Sequence, residues 1–316
     1  MEMYTYEKAL EQVKQEMNQA LTRSPRMIRE YLTHLTLSQG KMIRAVSVLT
    51  AALDQDGYCS YEAIRVAAAI EIIHLSSLVH DDIIDNADLR RGHETLQKKY
   101  GKRTAVICGD YLLSLALKMI TNLDHKKEYL DIQIPDYISK LCLGELNQHI
   151  NNHNLDLSMF DYIRIIGGKT AALFEASFFA GAVITGESEK NCKKYAKIGY
   201  YIGMIFQLMD DCMDFETTVE TMKKPVQSDY EQGVITLPLI YTFFQKPEFA
   251  RKAKEEGISR NEINQAVEEA KGLGYTRSIV TRYYKKAEKL IQSLSLTAEK
   301  EHKMFGILNK SAQIMN

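Results

Sequence analysis

Proline fits neither a helix interior nor a central strand, and this chain holds only 5 prolines in 316 residues. They stand at Pro25, Pro135, Pro225, Pro238 and Pro247, so two long stretches, 26–134 and 136–224, contain none. Glycine is scarce as well, at 17 residues, where ordinary usage is about 7% glycine and 5% proline. A β protein of this length needs many glycine-rich turns, which disfavours a β-sandwich and leaves long helices as the economical fold. The apolar spacing predicts helices over 4–19, from the Ser24-Pro25 cap to 35, over 61–86, 104–123, 135–151, 159–185, 192–216, 236–244, 259–272 and 276–294, with an apolar segment after Gly40. Polar stretches 86–103 and 217–235 are the main loops. No Ser/Pro/Gly-rich linker divides the chain, so residues 1–316 read as one all-α domain, a helical bundle.

Forty Lys and Arg against 41 Asp and Glu give a net charge of -1, which offers no global attraction to nucleic acid or to an anionic membrane. No run of 18 apolar residues occurs, and the amino terminus is charged and helix-like, so no transmembrane segment and a cytoplasmic location are expected. The five cysteines form no CxxC pair, which suggests neither a disulfide framework nor a zinc site.

Two aspartate clusters carry the chemistry. Asp81-Asp82-Ile83-Ile84-Asp85 closes the long helix that starts near Tyr61, and Asp210-Asp211-Cys212-Met213-Asp214 closes a later one; both read DDxxD. Residues four apart share a helix face, so Asp81 projects with Asp85 and Asp210 with Asp214. His74 and Gln207 each stand seven residues before the last or first aspartate of a cluster, His74 before Asp81 and Gln207 before Asp214. Crowded carboxylates after apolar runs are costly without cations. Oxygen-only donors select hard cations, and magnesium is usually held by a few carboxylates together with substrate phosphates. Magnesium with a polyphosphate is the reading.

Cations for a diphosphate bracket the clusters: Lys41 and Arg44 before the first, Arg90 and Arg91 after it, and Lys169 and Lys224 around the second. Gly168-Lys169-Thr170 is no P-loop, because Ile163 stands where that motif needs glycine. Glu71-Ile72-Ile73-His74 is an ExxH, but a helical di-iron site needs a second such motif, and none lies in a comparable apolar helix.

These residues make the chain resemble the trans-type polyprenyl diphosphate synthases. The resemblance runs through Gly40-Lys41-x-x-Arg44, EIIHLSSLVHDDIIDNADLRRG, GDYLL at 109–113, GGKTAALF at 167–174, FQLMDDCMDF and KP(x)3DYEQGVITLPL, which is nearly the whole chain. It implies the isoprenoid synthase fold, a single bundle around a central cavity with the DDxxD motifs facing each other across its mouth. It implies magnesium, about three ions per site, with Asp81, Asp85 and Asp210 as direct ligands and Asp82, Asp211 and Asp214 around them or binding through water. The ions would grip an allylic diphosphate, farnesyl or geranyl, helped by Arg90, Lys169 and Lys224. Lys41, Arg44, His74 and Arg91 would hold isopentenyl diphosphate, and Thr170 and Gln207 would lie beside the reacting carbons. Loss of the allylic diphosphate leaves a carbocation, which the isopentenyl double bond attacks head to tail, so no protein nucleophile is needed.

Ser77 lies one turn deeper than Asp81 on nearly the same face, with Ser76 beside it. In the resembling family bulky aromatics at these positions stop growth early, so two serines imply a product of about six to eight isoprene units, with the C20 geranylgeranyl product left open. Gln39, Met42, Ala45, Gln227 and Val234 depart from the family's usual residues. The GVITLP form looks most like the large, catalytic subunits of two-component hexaprenyl and heptaprenyl synthases. A homodimer, or a heterodimer with a small non-catalytic subunit, is therefore expected. The competing reading, a silent helical subunit of the same fold, is opposed by two complete DDxxD motifs.

Overall fold

The computed structural model describes residues 2–36, 40–121, 134–216 and 229–313, and their regular structure is almost all helical. They fall into two compact units, one of Met1–Gln133, Ala176–Ala196 and Leu294–Met304, the other of Ile134–Glu175, Lys197–Ser293 and Phe305–Asn316.

In the first unit β1 (Met3–Thr5) runs into α1 (Tyr6–Thr22), which α2 (Arg26–Leu35) and α3 (Ile43–Ala51) follow. Then β2 (Tyr58–Ser60) pairs antiparallel with β1, Met3 opposite Ser60, and leads into α4 (Tyr61–Ile84). The Ser60 hydroxyl oxygen accepts from the Ala63 amide and so caps one of the four unpaired N–H groups at the start of α4. Along α4 the apolar residues cover every side, and Ile64, Ile70 and Ile72 are fully buried, as a helix packed all round requires. Its neighbours are α1, α3, α5 (Leu96–Tyr100) and α6 (Lys102–Thr121). Both α4 and α6 are long and apolar enough to cross a membrane by length and composition alone, but the apolar stretch of α4 is 67% buried, which marks a core helix. That of α6 is only 33% buried, and Val106 and Ile107 are exposed.

The chain continues through α7 (Ile134–Ile150), α8 (Met159–Ile166), a π-helical turn at Gly167–Ala171, α9 (Ala172–Ile184) and α10 (Glu189–Glu216). It ends in α11 (Leu237–Gln245), α12 (Pro247–Glu255), α13 (Arg260–Glu269), α14 (Gly272–Gln292) and α15 (Ala298–Ser311). Two glycines one turn apart on α10 let its backbone meet the π turn and the start of α9: a methyl on Gly203 would stand 2.6 Å from Ala171 Cα, and one on Gly199 2.4 Å from the Phe174 carbonyl.

The helical class read from the sequence holds, with local differences. The helix expected over 159–185 is interrupted, because the Gly167-Gly168 pair has no side chains to oppose the wider π turn. The loop expected over 86–103 contains a two-stranded hairpin and α5. Pro25, not Ser24, occupies the cap position of α2, and the Ser24 hydroxyl donates back to the Ala20 carbonyl at 2.9 Å. Helices α12 and α15, both rich in charge, were not anticipated. Cys59, Cys108, Cys192 and Cys212 are buried and Cys142 is exposed, all as free thiols.

Candidate active site

The first aspartate cluster ends α4. Asp85 is the C-cap of that helix and is exposed, Asp81 is half-buried, and Asp82 is turned inward, 6% exposed. One residue along a helix is a turn of about 100°, so an inward Asp82 leaves Asp81 and Asp85 on another face. Asp82 Oδ1 accepts from Arg90 Nε at 2.8 Å. Burial holds the Asp82 carboxyl above the usual carboxylate range, Arg90 opposes this, and the charge of Asp85 adds to it.

Arg90 and Arg91 sit on a β-hairpin. Strand β3 (Leu89–Arg90) pairs with β4 (His93–Glu94), Arg90 opposite His93, and the two residues between them are Arg91 at φ 51° and Gly92 at φ 82°. Two left-handed residues in a two-residue hairpin loop make a type I′ turn, whose twist matches that of the strands. A left-handed arginine is uncommon and is held there by its surroundings. The Arg91 guanidinium lies against the backbone of Gly40, where a methyl would stand 2.7 Å from Nη1. Glycine at position 40 is thus what lets Arg91 reach the start of the Lys41–Arg44 segment. There Lys41 is exposed and Met42, at φ 51°, caps α3.

Arg44 lies over the buried Glu71, whose Oε1 accepts the Ala45 amide at 2.9 Å. Burial and the charge of Arg91, against the pull of Glu71, bring the Arg44 guanidinium down to about 10, still charged at neutral pH. Glu71 therefore serves the packing of α3 on α4. His74 is held well below its ordinary value, first by burial and then by Arg44, Arg90 and Arg91. Its imidazole is neutral and offers a hydrogen bond without a charge. The charges of Arg44, Arg90 and Arg91 all reach the same imidazole, and such a positive field is what an anion needs.

The two serines differ. Ser76 is 3% exposed and its hydroxyl donates to the Gly109 carbonyl of α6 at 2.8 Å, whereas half-buried Ser77 donates to the His74 carbonyl of its own helix at 2.9 Å. Gly109, the first residue of GDYLL, is where the helices meet: a methyl there would stand 2.3 Å from His80 Nε2. His80 in turn pairs with Asp110 at 3.3 Å.

In the second unit the π turn presents Lys169 and Thr170. Its Gly168 and Gly144 of α7 lie backbone to backbone, since a methyl on Gly144 would be 2.2 Å from the Lys169 amide nitrogen. Lys169 Nζ pairs with Glu145 Oε2 at 2.9 Å. Thr170 Oγ1 donates to Gln207 Oε1 at 2.7 Å, Gln207 Nε2 donates to Asp211 Oδ1 at 2.8 Å, and the Tyr162 hydroxyl donates to Asp211 Oδ2. Asp211, 2% exposed, is the inward member of its cluster, as Asp82 is of the first. Its burial raises the carboxyl to about 7 in spite of the Tyr162 and Gln207 hydrogen bonds. Asp210 is exposed and Asp214 half-buried; loss of hydration and the charge of Asp214 hold Asp210 above its ordinary value.

The donors fit magnesium. Around each cluster they are carboxylate oxygens, and among the described residues no three His, Cys, Asp or Glu groups converge to hold a metal unaided. A cation there needs oxygens from a substrate, which is how magnesium is usually bound. Lys224 lies outside the described residues. Sequence reasoning missed Tyr162, Glu145 and Gly144. Single tyrosines and glycines on apolar helices carry no signal of their own, and Glu145 would have stood out only as an acid beside a glycine in an otherwise uncharged stretch.

The model of the polyprenyl synthetase family matches residues 25–272, which include all the motifs above. Heptaprenyl diphosphate synthase component 2 of Bacillus subtilis is 38% identical over 229 residues, 72% of this chain and 65% of that one. The protein of the same description from Geobacillus stearothermophilus is 34% identical over 289 residues, 90% of this chain and 89% of its own. The crystal structure of heptaprenyl diphosphate synthase from Staphylococcus aureus superposes with a TM-score of 0.87 at 29% identity, covering 98% of both chains.

Proposed function

The chain belongs to the polyprenyl synthetase family, and from that premise we propose that it condenses an allylic diphosphate with isopentenyl diphosphate, head to tail, to make a medium- or long-chain polyprenyl diphosphate. The observation that carries this reading is the separation of charge. Each unit holds an outward pair of carboxylates, Asp81 with Asp85 and Asp210 with Asp214, and the first also holds the arginine charges that act on His74.

Only the allylic diphosphate leaves, so only it needs divalent cations to stabilise the departing charge. Asp81, Asp85 and Asp210 would hold magnesium for it, with Asp214 beside them or binding through water. Arg90 and Lys169 assist, each from an ion pair that already fixes its direction. Isopentenyl diphosphate keeps its own diphosphate, and Lys41, Arg44, Arg91 and neutral His74 suffice to seat it. Magnesium supplies charge neutralisation. The protein supplies alignment of the two substrates and exclusion of water from the allylic cation.

Residues 1–316 act as one catalytic domain. The word component in the relatives' names describes one part of a larger enzyme, and we extend it here: the chain works with a small non-catalytic subunit or with a second copy of itself. The exposed apolar face of α6 around Val106 and Ile107 is a surface that such a partner would cover. The cytoplasm is the compartment proposed.

The test is incubation of the purified chain with magnesium, farnesyl diphosphate and labelled isopentenyl diphosphate, followed by dephosphorylation and chromatography. Extended alcohols of about six to eight isoprene units are expected. Asp81→Ala should lower turnover by about a thousandfold, since a lost metal ligand costs several kcal/mol of transition-state stabilisation. No incorporation, even with a candidate small subunit added, would refute the assignment.

A further inference from the structure

Tyr162 has no part in the scheme above, yet its hydroxyl is buried on a residue of the second aspartate cluster. The side chain is 3% exposed on α8, and its hydroxyl donates to Asp211 Oδ2. The other Asp211 oxygen accepts Gln207 Nε2 at 2.8 Å, and Gln207 Oε1 accepts the Thr170 hydroxyl at 2.7 Å. Both oxygens of Asp211 are thus occupied by donors from within the protein.

A carboxylate gripped by two donors from two helices has one orientation. With Oδ2 taken by the Tyr162 hydroxyl, Oδ1 faces Gln207 and receives its nitrogen, which leaves the Gln207 oxygen toward Thr170. The Thr170 hydrogen is then committed to that oxygen. What Thr170 Oγ1 can offer to a neighbouring group is a lone pair and not a proton. Beside an allylic cation the distinction is large, since an oxygen lone pair attracts the developing positive charge and a hydroxyl hydrogen pointed at it repels it.

We propose that Tyr162 is a positioning residue for prenyl transfer, acting through Asp211 and Gln207 to keep the Thr170 oxygen turned as an acceptor toward the reacting carbons. The inference rests on the prenyltransferase reading and deepens it. It differs from a packing role because the phenyl ring alone would satisfy packing, whereas positioning needs the hydroxyl.

Tyr162→Phe removes only that hydroxyl. With magnesium saturating, kcat should fall about tenfold, the usual scale for groups that orient a ligand of the reacting centre, and KM for isopentenyl diphosphate should stay within about twofold. Thr170→Val lowers kcat by itself. The decisive comparison is the double variant: Tyr162→Phe should cost nothing further in the Thr170→Val background, because its effect passes through the missing hydroxyl. Circular dichroism on all four proteins confirms that each is folded. Losses that multiply in the double variant, a rise in KM in place of the fall in kcat, or recovery of the lost rate by extra magnesium would overturn the proposal. Wild-type protein that transfers no prenyl group would instead remove the prenyltransferase reading on which the proposal rests.

Discussion

Gly144→Ala adds one methyl group, in a helix and outside every sequence motif, and it should disable the enzyme. The methyl would stand 2.2 Å from the Lys169 amide nitrogen and 2.5 Å from the Gly168 carbonyl carbon, where ordinary contact begins at 3.4 Å. Both neighbours are backbone, so no side chain can swing away, and α7 must part from the π turn by about 1 Å. Overpacking costs about 3 kcal/mol at the upper end of its usual range, and replacing glycine by alanine inside a helix returns about 1 kcal/mol. The net loss of about 2 kcal/mol corresponds to a fall in Tm of about 3 °C for a chain of this size. The effect on turnover should be larger, because Lys169 and Thr170 move with the turn, and a displacement of about 1 Å at reacting groups costs about a hundredfold in rate. Steady-state incorporation of isopentenyl diphosphate and a thermal melt measure the two effects. Gly306→Ala, in a helix with open space around the glycine, serves as the control and should be neutral or gain up to about 1 kcal/mol. Gly144→Ala with kcat within twofold of wild type would refute the claim that this contact positions the π turn.

Two further substitutions separate roles that the sequence leaves merged. Ser77→Phe should shorten the product without loss of fold. Ser76→Phe should instead lower stability by about 1–3 kcal/mol through overpacking between α4 and α6, as product chromatography and melting will show; the same product length in both would refute a chain-length role for Ser77. Lys300, 5% exposed, donates to the Leu53 carbonyl at 2.9 Å, and burial lowers its ammonium from 10.5 to about 8. A lysine whose folded value lies below its unfolded one destabilises the fold below pH 8, and the penalty fades as pH rises from about 8 to 10.5, a span worth about 3 kcal/mol. Lys300→Met removes that penalty but leaves the Leu53 carbonyl unpaired at a cost of about 1–3 kcal/mol. Urea unfolding should therefore find the variant near wild type at pH 7 and clearly weaker at pH 10, and a pH-independent difference would refute the reasoning.

The helices were legible where the pattern was long and apolar, as in α4, α6 and α10, because burial of a continuous apolar face outweighs local preference. They were not legible where charge predominates, as in α12 and α15; α15 is tied to a neighbour distant in sequence, where Lys300 donates to the Leu53 carbonyl. The hairpin under Arg90 and Arg91 is hard to read because its signal is a single glycine after an arginine, and it is the two-residue loop between paired strands that puts that arginine in a left-handed backbone.

The sequence by itself determined the all-α class, the family, both DDxxD clusters and the pairing of first with last aspartate, because the angle between two residues on one helix depends only on their spacing. Spacing is silent on which angle faces inward. That Asp82 and Asp211 are the inward members, one held by Arg90 and the other by Tyr162 and Gln207, was decided by the tertiary structure. A buried carboxylate must find donors, and for Asp211 the hydroxyl that meets it comes from another helix, which only packing brings there.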